Sequence, residues 1–309
     1  MLSKSIVGSL TFRRGNPTGR SWTLGKSEVS GNRMLILRNW IRNTALYKFA
    51  RRRAFVALCQ LSRLAVKDKA LPLRQVEWLS STIITGPLRG MRLVYPPKFE
   101  NPTFSLGIFE RHVAATIHHF VRPGDTVYDV GANIGYHSLH AFKAAGPNGT
   151  VYSFEPNPPD FAALGLCIQS NNLANVRALG VAVADKPGRV RFATFDEPGI
   201  SHIQRDTSPV GAPTIEVEAV AIDDLVYNKG LRPPRFIKID VEGGELAVLR
   251  GAQEVLADCG PTIVSEVWNG NSTEVMDLLA HCGYESQMLC GYTWGGDYLF
   301  RRKISRWSN

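Results

Sequence analysis

Residues 126–138 read TVYDVGANIGYHS, and this stretch decides the fold. Its first five residues are mostly β-branched or aromatic, which is typical of a buried strand. Gly131 and Gly135 then interrupt the strand, and residues 136–145 are compatible with a helix that has one apolar face. Glycine lets the backbone approach a ligand closely, and the first turn of a helix offers N–H groups to an anion. The stretch therefore predicts a strand, a ligand-binding turn and a helix.

Acidic residues near the turn indicate the ligand. The pattern is Asp-x-Gly-x-Asn-x-Gly over Asp129, Gly131, Asn133 and Gly135, which does not fit the G-x-G-x-x-G spacing of dinucleotide sites. The Asp129 carboxylate is suited to the ammonium group of an amino-acid-like ligand. A second predicted strand, 150–155, ends in Glu155, where a carboxylate can accept hydrogen bonds from ribose hydroxyls. A nucleoside that carries an amino acid meets both demands, so we expect an S-adenosylmethionine site; a purely structural turn is the alternative.

Three segments, residues 129–138, 154–158 and 236–245, resemble the three blocks of the FkbM-type S-adenosylmethionine-dependent methyltransferases. The resemblance covers residues 104 to 283, and the third block, Phe-Ile-Lys-Ile-Asp-Val-Glu-Gly-Gly-Glu, is the most specific. It implies a class I, Rossmann-like methyltransferase fold and methyl transfer to a hydroxyl on a sugar, a glycolipid precursor or a polyketide-like metabolite. Asn157 lies in the second block and is assigned to the cofactor site with it.

The alternation of strands and helices from residue 127 to 268 predicts an α/β fold. We expect a mostly parallel seven-stranded sheet with helices on both faces and an antiparallel pair of strands between residues 284 and 302. Strands are predicted at 176–184, 189–195, 214–220, 235–241 and 262–268, the last of which again ends in an acid and an aromatic residue. Helices are predicted at 110–120, 161–171, 247–257 and 274–282.

Candidate catalytic residues follow from the position of the predicted strand 235–241. Ligands of open α/β sheets bind beyond the carboxyl ends of the strands, and Asp240 and Glu242 lie at this end. A hydroxyl acceptor benefits from a base that takes its proton. We assign Asp240 to this role first and His137, at the cofactor turn, second. Several acids together could instead bind a divalent cation, and the sequence does not separate the two mechanisms.

His202 is a further candidate base because it lies in a loop, 197–213, that is rich in proline, glycine and serine. Long loops inserted in compact domains are often functional, and in the resembled family this region lies near the acceptor site. An ordinary loop residue is the alternative for His202.

The excess positive charge of the chain lies in its first 95 residues. Residues 1–95 contain 18 lysines and arginines and 3 acids, a net charge of +15, whereas residues 96–309 contain 18 basic and 24 acidic residues, a net of −6. We therefore divide the chain into a basic extension, 1–95, and a methyltransferase domain, 96–309, with the boundary near Pro96-Pro97.

Apolar residues between 33 and 69 recur with helical spacing among basic ones, which predicts amphipathic helices. They can pack on the catalytic domain or lie on an anionic membrane face. Nucleic-acid binding is not expected, because no recognised motif accompanies the charge.

The sequence indicates a cytoplasmic protein, with contact to the inner membrane face as an additional expectation. No secretory signal precedes Arg13-Arg14, and the five cysteines contain no C-x-x-C pair. An organelle transit peptide is a second interpretation of the first thirty residues. An NAD-dependent Rossmann oxidoreductase and a methyltransferase-fold scaffold without turnover are the two alternatives to a methyltransferase.

Overall fold

The computed structural model describes residues 71–73, 76–99, 101–195, 201–204, 211 and 213–303. The predicted amphipathic helices between residues 33 and 69 lie outside these ranges, so the helices and their membrane contact stay predictions. None of the helices in the described ranges has the length and apolar character needed to cross a bilayer.

Strands and helices alternate along most of the described chain. A 3₁₀ turn (Pro97–Phe99) precedes α1, and a π turn (Asp224–Asn228) follows β10. The elements, in chain order, are β1 (Leu71–Leu73), β2 (Val76–Thr82), β3 (Arg92–Tyr95), α1 (Pro102–Ser105), α2 (Arg111–Phe120), β4 (Thr126–Val130), α3 (Tyr136–Ala145), β5 (Thr150–Phe154), α4 (Pro158–Ser170), β6 (Val176–Leu179), β7 (Ala182–Val183), β8 (Gly188–Ala193), β9 (His202–Ile203), β10 (Thr214–Val220), β11 (Phe236–Ile239), α5 (Glu245–Arg250), α6 (Gln253–Asp258), β12 (Thr262–Trp268), α7 (Ser272–His281), β13 (Tyr284–Gly291) and β14 (Gly295–Arg302).

The centre of the fold is a seven-stranded sheet in the order β13-β14-β12-β11-β4-β5-β6. From β12 to β6 neighbouring strands are parallel, whereas β14 is antiparallel to both β12 and β13. The predicted sheet and its antiparallel pair at residues 284–302 are therefore confirmed. The chain order reverses between β4 and β11, which is the switch point where open α/β sheets bind their ligands.

Two hydrophobic clusters cover the two faces of the sheet. Val127 of β4 packs in a cluster with residues of α2, α3 and α4, and its neighbour Tyr128 packs in a second cluster with residues of α5, α6 and α7. This division follows from strand geometry, since successive side chains point to opposite faces. Helices therefore lie on both faces, as predicted.

Two predicted elements are wrong because each is interrupted. The strand predicted at 176–184 divides into β6, in the central sheet, and β7, in a separate four-stranded sheet of order β7-β10-β8-β9. The helix predicted at 247–257 divides into α5 and α6 at Gly251, where a Cβ atom would lie 2.1 Å from the Ala184 carbonyl oxygen. The Asp223 carboxylate then accepts the amides of Glu254 and Val255 at 3.0 and 2.9 Å and stabilises the start of α6.

The strands before Pro96-Pro97 pack on the central domain. Asn171, which follows α4, brackets the Arg92 backbone of β3: its Oδ1 accepts the Arg92 N–H at 2.8 Å and its Nδ2 donates to the Arg92 carbonyl at 2.7 Å. Leu93 is fully buried in the cluster that contains α3 and α4. The division at residue 95 stays a prediction, because most of the predicted extension lies outside the described ranges.

Leu93→Ala tests whether β3 belongs to the folded core. Removing a fully buried leucine side chain costs about 2–5 kcal/mol of unfolding free energy, and we expect this loss in urea denaturation. Ile84→Ala is the matched control, since Ile84 is 38% exposed and follows β2. Equal stability of the two variants would show that β3 contributes nothing to the core.

Candidate active site

A cavity of about 660 Å³ opens at the switch point of the central sheet. It lies beyond the carboxyl ends of β4, β5, β11 and β12, and its walls include the glycine turn after β4 and the 3₁₀ turn before α1. This is the volume range of small-molecule sites. Its position agrees with the predicted cofactor site.

The glycine turn is shaped by close packing against β11. Gly131 has φ +74°, and a Cβ atom there would lie 1.8 Å from the Asp240 carbonyl oxygen, so no other residue fits. Asn133 also has a positive φ, 50°. The amides of residues 131–135 bond within the protein, and the first helical bond of α3 is donated by Leu139 to Gly135. The N–H groups of residues 136–138 precede this bond and therefore have no partner within the helix.

Glu155 holds the turn against the end of β5. Its Oε2 accepts the Asn133 N–H at 2.7 Å and its Oε1 accepts the Asn157 N–H at 2.8 Å. Burial, with the nearby Asp160 carboxylate, raises its pKa to about 8. Glu155 lines the cavity, as required for a ribose-binding residue. Asn157 does not line the cavity. Its side chain donates to the carboxylate of Asp160 at 2.7 Å, and Asp160 does line the cavity.

Asp129 lies behind the cavity wall and not in it. The side chain is 1% exposed and its Oδ2 accepts the Ser138 hydroxyl at 2.6 Å. Its Oδ1 lies 3.5 Å from Lys238 Nζ. These contacts give Asp129 a supporting role, and the predicted direct bond to a ligand ammonium group is not supported by the geometry.

Lys238 was not among the predicted site residues. It is 4% exposed, its Nζ donates to the Gly131 carbonyl at 2.7 Å, and it lies 3.2 Å from Asp240 Oδ2. Burial alone would lower its pKa, but the Asp240 and Asp129 carboxylates outweigh burial and raise it above its ordinary value. The sequence contained an indication of its role, because a lysine is unusual in an otherwise apolar strand such as Phe-Ile-Lys-Ile.

Three carboxylates converge where β11 and β12 end. Oxygen atoms of Asp240, Glu242 and Glu266 lie within 4.8 Å of one another, and all three residues line the cavity. Burial opposes ionisation of Asp240, but Lys238 and a hydrogen bond from Glu266 lower its pKa. Burial and the Asp240 charge raise the pKa of Glu242 to about 9 and that of Glu266 to about 8. The cluster therefore contains one ionised acid beside two that retain their protons at neutral pH.

The turn that follows Asp240 places Glu242 in the cavity. Glu242 has φ 55°, which is uncommon for a residue with a side chain. Glu245 is the first residue of α5. Its carboxylate accepts a hydrogen bond from the Gly243 N–H at 2.7 Å and another from the Asn271 side-chain amide at 3.0 Å. Glu245 is fully buried and does not line the cavity, so its role is to hold this turn.

A histidine and a glutamate also line the cavity. His137 Nε2 lies 2.8 Å from Glu110 Oε2, and both residues line the cavity. His137 is thus placed where the sequence predicted it, with an orienting partner that the sequence did not indicate. Glu110 has φ 38°, a left-handed conformation immediately before α2.

His202 is not brought to the cavity. It belongs to β9, and its ring stacks on Phe195 with a centroid distance of 5.5 Å and an interplanar angle of 24°. Its neighbours Ser201 and Ile203 line the cavity instead. The reason is the alternation of side chains along a strand, which turns the middle residue away from the surface that its neighbours share. The prediction that His202 is the base is not supported.

The cavity fits S-adenosylmethionine. Among its described lining residues, six carry carboxyl groups and Lys238 is the sole lysine or arginine. The Lys238 ammonium is already engaged by Gly131, Asp129 and Asp240. A ligand with a sulfonium and an ammonium group suits such a lining, and Glu155 is placed for its ribose. The acidic lining residues are Glu110, Glu155, Asp160, Asp240, Glu242 and Glu266.

Strand order, switch-point cavity and acidic lining together define a class I methyltransferase. The family described as Methyltransferase FkbM domain matches residues 129–286. The chain belongs to this FkbM family of S-adenosylmethionine-dependent methyltransferases, as the three sequence blocks predicted. The NAD-dependent alternative is therefore wrong.

Two relatives show the extent of the similarity. The 31-O-demethyl-FK506 methyltransferase FkbM of Streptomyces tacrolimicus is 32% identical over 195 residues, which cover 53% of this chain and 74% of that protein. The hexuronic acid methyltransferase AglP of Haloferax volcanii is 28% identical over 166 residues, which cover 53% of this chain and 65% of that protein.

A solved structure of methyltransferase FkbM from Methylobacillus flagellatus KT aligns with a TM-score of 0.42 and 20% identity. The alignment covers 64% of this chain and 52% of that one, so the chain spans about half of the solved protein.

The acid cluster predicts how stability depends on pH. Glu242 titrates near pH 9 in the folded protein and near 4.5 ordinarily, so between these values the folded state holds a proton that the unfolded chain has lost. Stability therefore falls as pH rises, by at most about 1.4 kcal/mol per pH unit for one group and by less where solvent reaches the carboxyl. Glu266 and Glu155 act in the same direction.

We expect the thermal unfolding midpoint of the ligand-free protein, measured with a chelator, to fall from pH 5 to pH 9. Glu242→Gln should make this decline shallower, because glutamine does not titrate. Glu285→Gln, at an exposed position on β13, is the control and should retain the native slope. An unchanged slope in Glu242→Gln would contradict the raised pKa of Glu242.

Proposed function

We propose that this methyltransferase methylates a hydroxyl group of a small-molecule or carbohydrate acceptor, with Asp240 as the base. The observation that supports the proposal most directly is the position of Asp240. It lines the same cavity as the glycine turn and Glu155, and Lys238 holds its carboxylate at 3.2 Å. The site thus contains an ionised acid on the side of the cavity away from the expected ribose.

The acceptor class is supported by the relatives and by the shape of the site. One relative is named for a hexuronic acid and another for 31-O-demethyl-FK506. In this chain the acceptor side of the cavity combines aromatic side chains, Trp268 and Trp294, with the carboxyl groups of β11 and β12. Aromatic surface with hydrogen-bonding groups is suited to a hydroxylated ring.

The chemistry is an in-line displacement. S-adenosylmethionine supplies a methyl group on a sulfonium, which makes that carbon electrophilic. An acceptor oxygen forms its bond to the methyl carbon as the carbon–sulfur bond breaks, and the bonding pair stays on sulfur. The hydroxyl proton passes to the Asp240 carboxylate. Most of the acceleration comes from holding the oxygen in line, and proton removal adds about 10²–10⁴-fold.

Asp240 is preferred over the other acids because of its protonation state. Lys238 keeps it ionised, whereas Glu242 and Glu266, with pKa values of about 9 and 8, keep their protons at neutral pH. A protonated carboxyl group can donate a hydrogen bond to the acceptor but cannot accept its proton. His137 is the second candidate because it lines the cavity and Glu110 orients it.

A divalent cation is the alternative way to activate the hydroxyl. Asp240, Glu242 and Glu266 offer oxygen atoms within 4.8 Å of one another, and hard cations prefer such ligands. A cation there would lower the pKa of a coordinated hydroxyl. Chelation therefore distinguishes the two mechanisms.

Asp240→Asn tests the base. We expect turnover to fall by about 10²–10⁴-fold while calorimetry still detects binding of S-adenosylhomocysteine, because asparagine has nearly the same shape but accepts no proton. A chelator should leave the native enzyme unchanged. The assay measures methyl transfer to a panel of sugars, glycolipid precursors and hydroxylated metabolites.

Three other outcomes would change the assignment. Near-native turnover of Asp240→Asn would transfer the role to His137, which His137→Asn then tests. Activity that a chelator removes and magnesium or manganese restores would assign the step to a cation. Cofactor binding without turnover on any acceptor would favour the non-catalytic scaffold.

Glu155→Gln and Glu155→Ala test the ribose site. Leaving the hydrogen-bonding partners of a buried carboxyl group unsatisfied costs about 1–3 kcal/mol, so we expect binding of S-adenosylhomocysteine to weaken by about 5- to 150-fold in calorimetry. Because Glu155 also accepts two backbone amides, thermal unfolding must show that each variant is folded. Glu274→Ala, on the exposed surface of α7, is the control. Native affinity in a folded Glu155→Ala protein would exclude the ribose contact.

A further inference from the structure

Trp294 stands out among the aromatic residues of the site. It lies between β13 and β14, lines the cavity, and is 54% exposed. The other exposed large hydrophobic residues of the described chain, Ile84, Tyr227 and Met288, do not line this cavity. An indole at a cavity mouth that stays open to water is available to a ligand.

The indole is also held in place. Its ring stacks on Tyr292 with a centroid distance of 5.2 Å and an interplanar angle of 9°. The indole Nε1 donates to Glu266 Oε1 at 3.3 Å, and the backbone carbonyl of Trp294 accepts the Asn269 N–H at 2.9 Å. Since Tyr292 covers one face of the ring, the opposite face is the one left to a ligand.

Tyr292 is fixed in turn by a buried acid. Its hydroxyl donates to Asp297 Oδ2 at 2.6 Å, and the same oxygen lies 2.5 Å from His112 Nε2 of α2. The tip of the β13–β14 hairpin is thus joined to a helix of the central domain. The position of the indole is set before any ligand binds, which reduces the entropy lost on binding.

The groups around Trp294 indicate what the ligand displays. The carboxyl groups of Glu266, Glu242 and Asp240 lie beside the indole and can bond to several hydroxyls. A ring with a face of C–H groups and an edge of hydroxyls matches an aromatic face beside carboxyl groups. A saturated pyranose has this distribution, whereas a wholly apolar ring would displace water from the carboxyl groups and offer them no hydrogen bonds.

The lining of the cavity disfavours an acidic acceptor. Six carboxyl groups line the cavity, and the single lysine among the described lining residues is already engaged. A ligand carboxylate in this cavity would lose part of its hydration and would find no unengaged lysine or arginine among the described lining residues. A uronate or sugar phosphate would therefore bind less well than the neutral sugar.

From this arrangement we infer that Trp294 and Glu266 form a subsite for an uncharged pyranose, which stacks on the free face of the indole and bonds through its hydroxyls to Glu266. The inference rests on the proposed methyltransferase function and narrows its acceptor to a neutral sugar. It also assigns Trp294 as the residue that determines specificity for the ring.

The test uses the full chain with S-adenosylhomocysteine present. Saturation-transfer NMR with methyl hexopyranosides should show contact through the C–H protons of one ring face. The corresponding methyl hexopyranosiduronates should show weaker transfer at pH 8. A uronate that binds as well as the neutral sugar would overturn the charge argument, and no binding by any neutral hexoside would overturn the pyranose assignment.

Three variants then locate the contact. Trp294→Ala should raise the KM or Kd for the sugar about tenfold, the scale of a lost aromatic stacking partner, and Trp294→Phe should keep most of the native affinity. Tyr227→Ala, an exposed aromatic outside the cavity, is the control. Native sugar affinity in Trp294→Ala would overturn the inference.

Calorimetry with S-adenosylhomocysteine separates this inference from the function on which it rests. All four proteins, native and variant, should bind that compound with equal affinity. If none binds it, the proposed function fails. If all bind it and Trp294→Ala behaves as native towards sugars, the stacking subsite alone fails.

Discussion

A buried ammonium group joins the two strands between which the cavity opens. Lys238 of β11 donates to the Gly131 carbonyl, at the end of β4, and lies between the Asp129 and Asp240 carboxylates. Removing one member of such a buried set leaves an uncompensated charge and typically costs about 3–5 kcal/mol. The lysine therefore couples the cofactor turn to the candidate base, and neither can move without breaking its bonds.

Backbone crowding reinforces this connection. Gly131 leaves no room for a side chain against the Asp240 carbonyl, and Glu155 anchors the same turn to β5 through the Asn133 amide. The turn is thus held from β5 on one side and β11 on the other. A site for in-line transfer depends on fixed positions of this kind, because alignment supplies most of the acceleration.

The acids of the site differ in charge because their neighbours differ. Asp240 has Lys238 beside it, whereas Glu242 and Glu266 have mainly burial and other carboxylates. The result is an ionised acid next to two neutral ones within a few ångströms. Such a set can remove a proton from one hydroxyl and donate hydrogen bonds to others.

Short-range patterns in the sequence determined the strand-turn-helix unit, the seven-stranded sheet and the cofactor class, because periodicity and motif spacing act over a few residues. They also located Glu155, Asp240 and Glu242, since strands that end in acids place them at the ligand edge, and His137, since it follows the glycine turn. The tertiary structure added the contacts of Lys238 and Glu266, which the sequence placed on strands without a role, and it alone brought in Glu110 and Trp294, because these two come from segments that are distant in the chain. It alone turned Asp129 and His202 away from the cavity, because the direction of a side chain depends on the pairing and pleat of its strand, which local sequence does not specify.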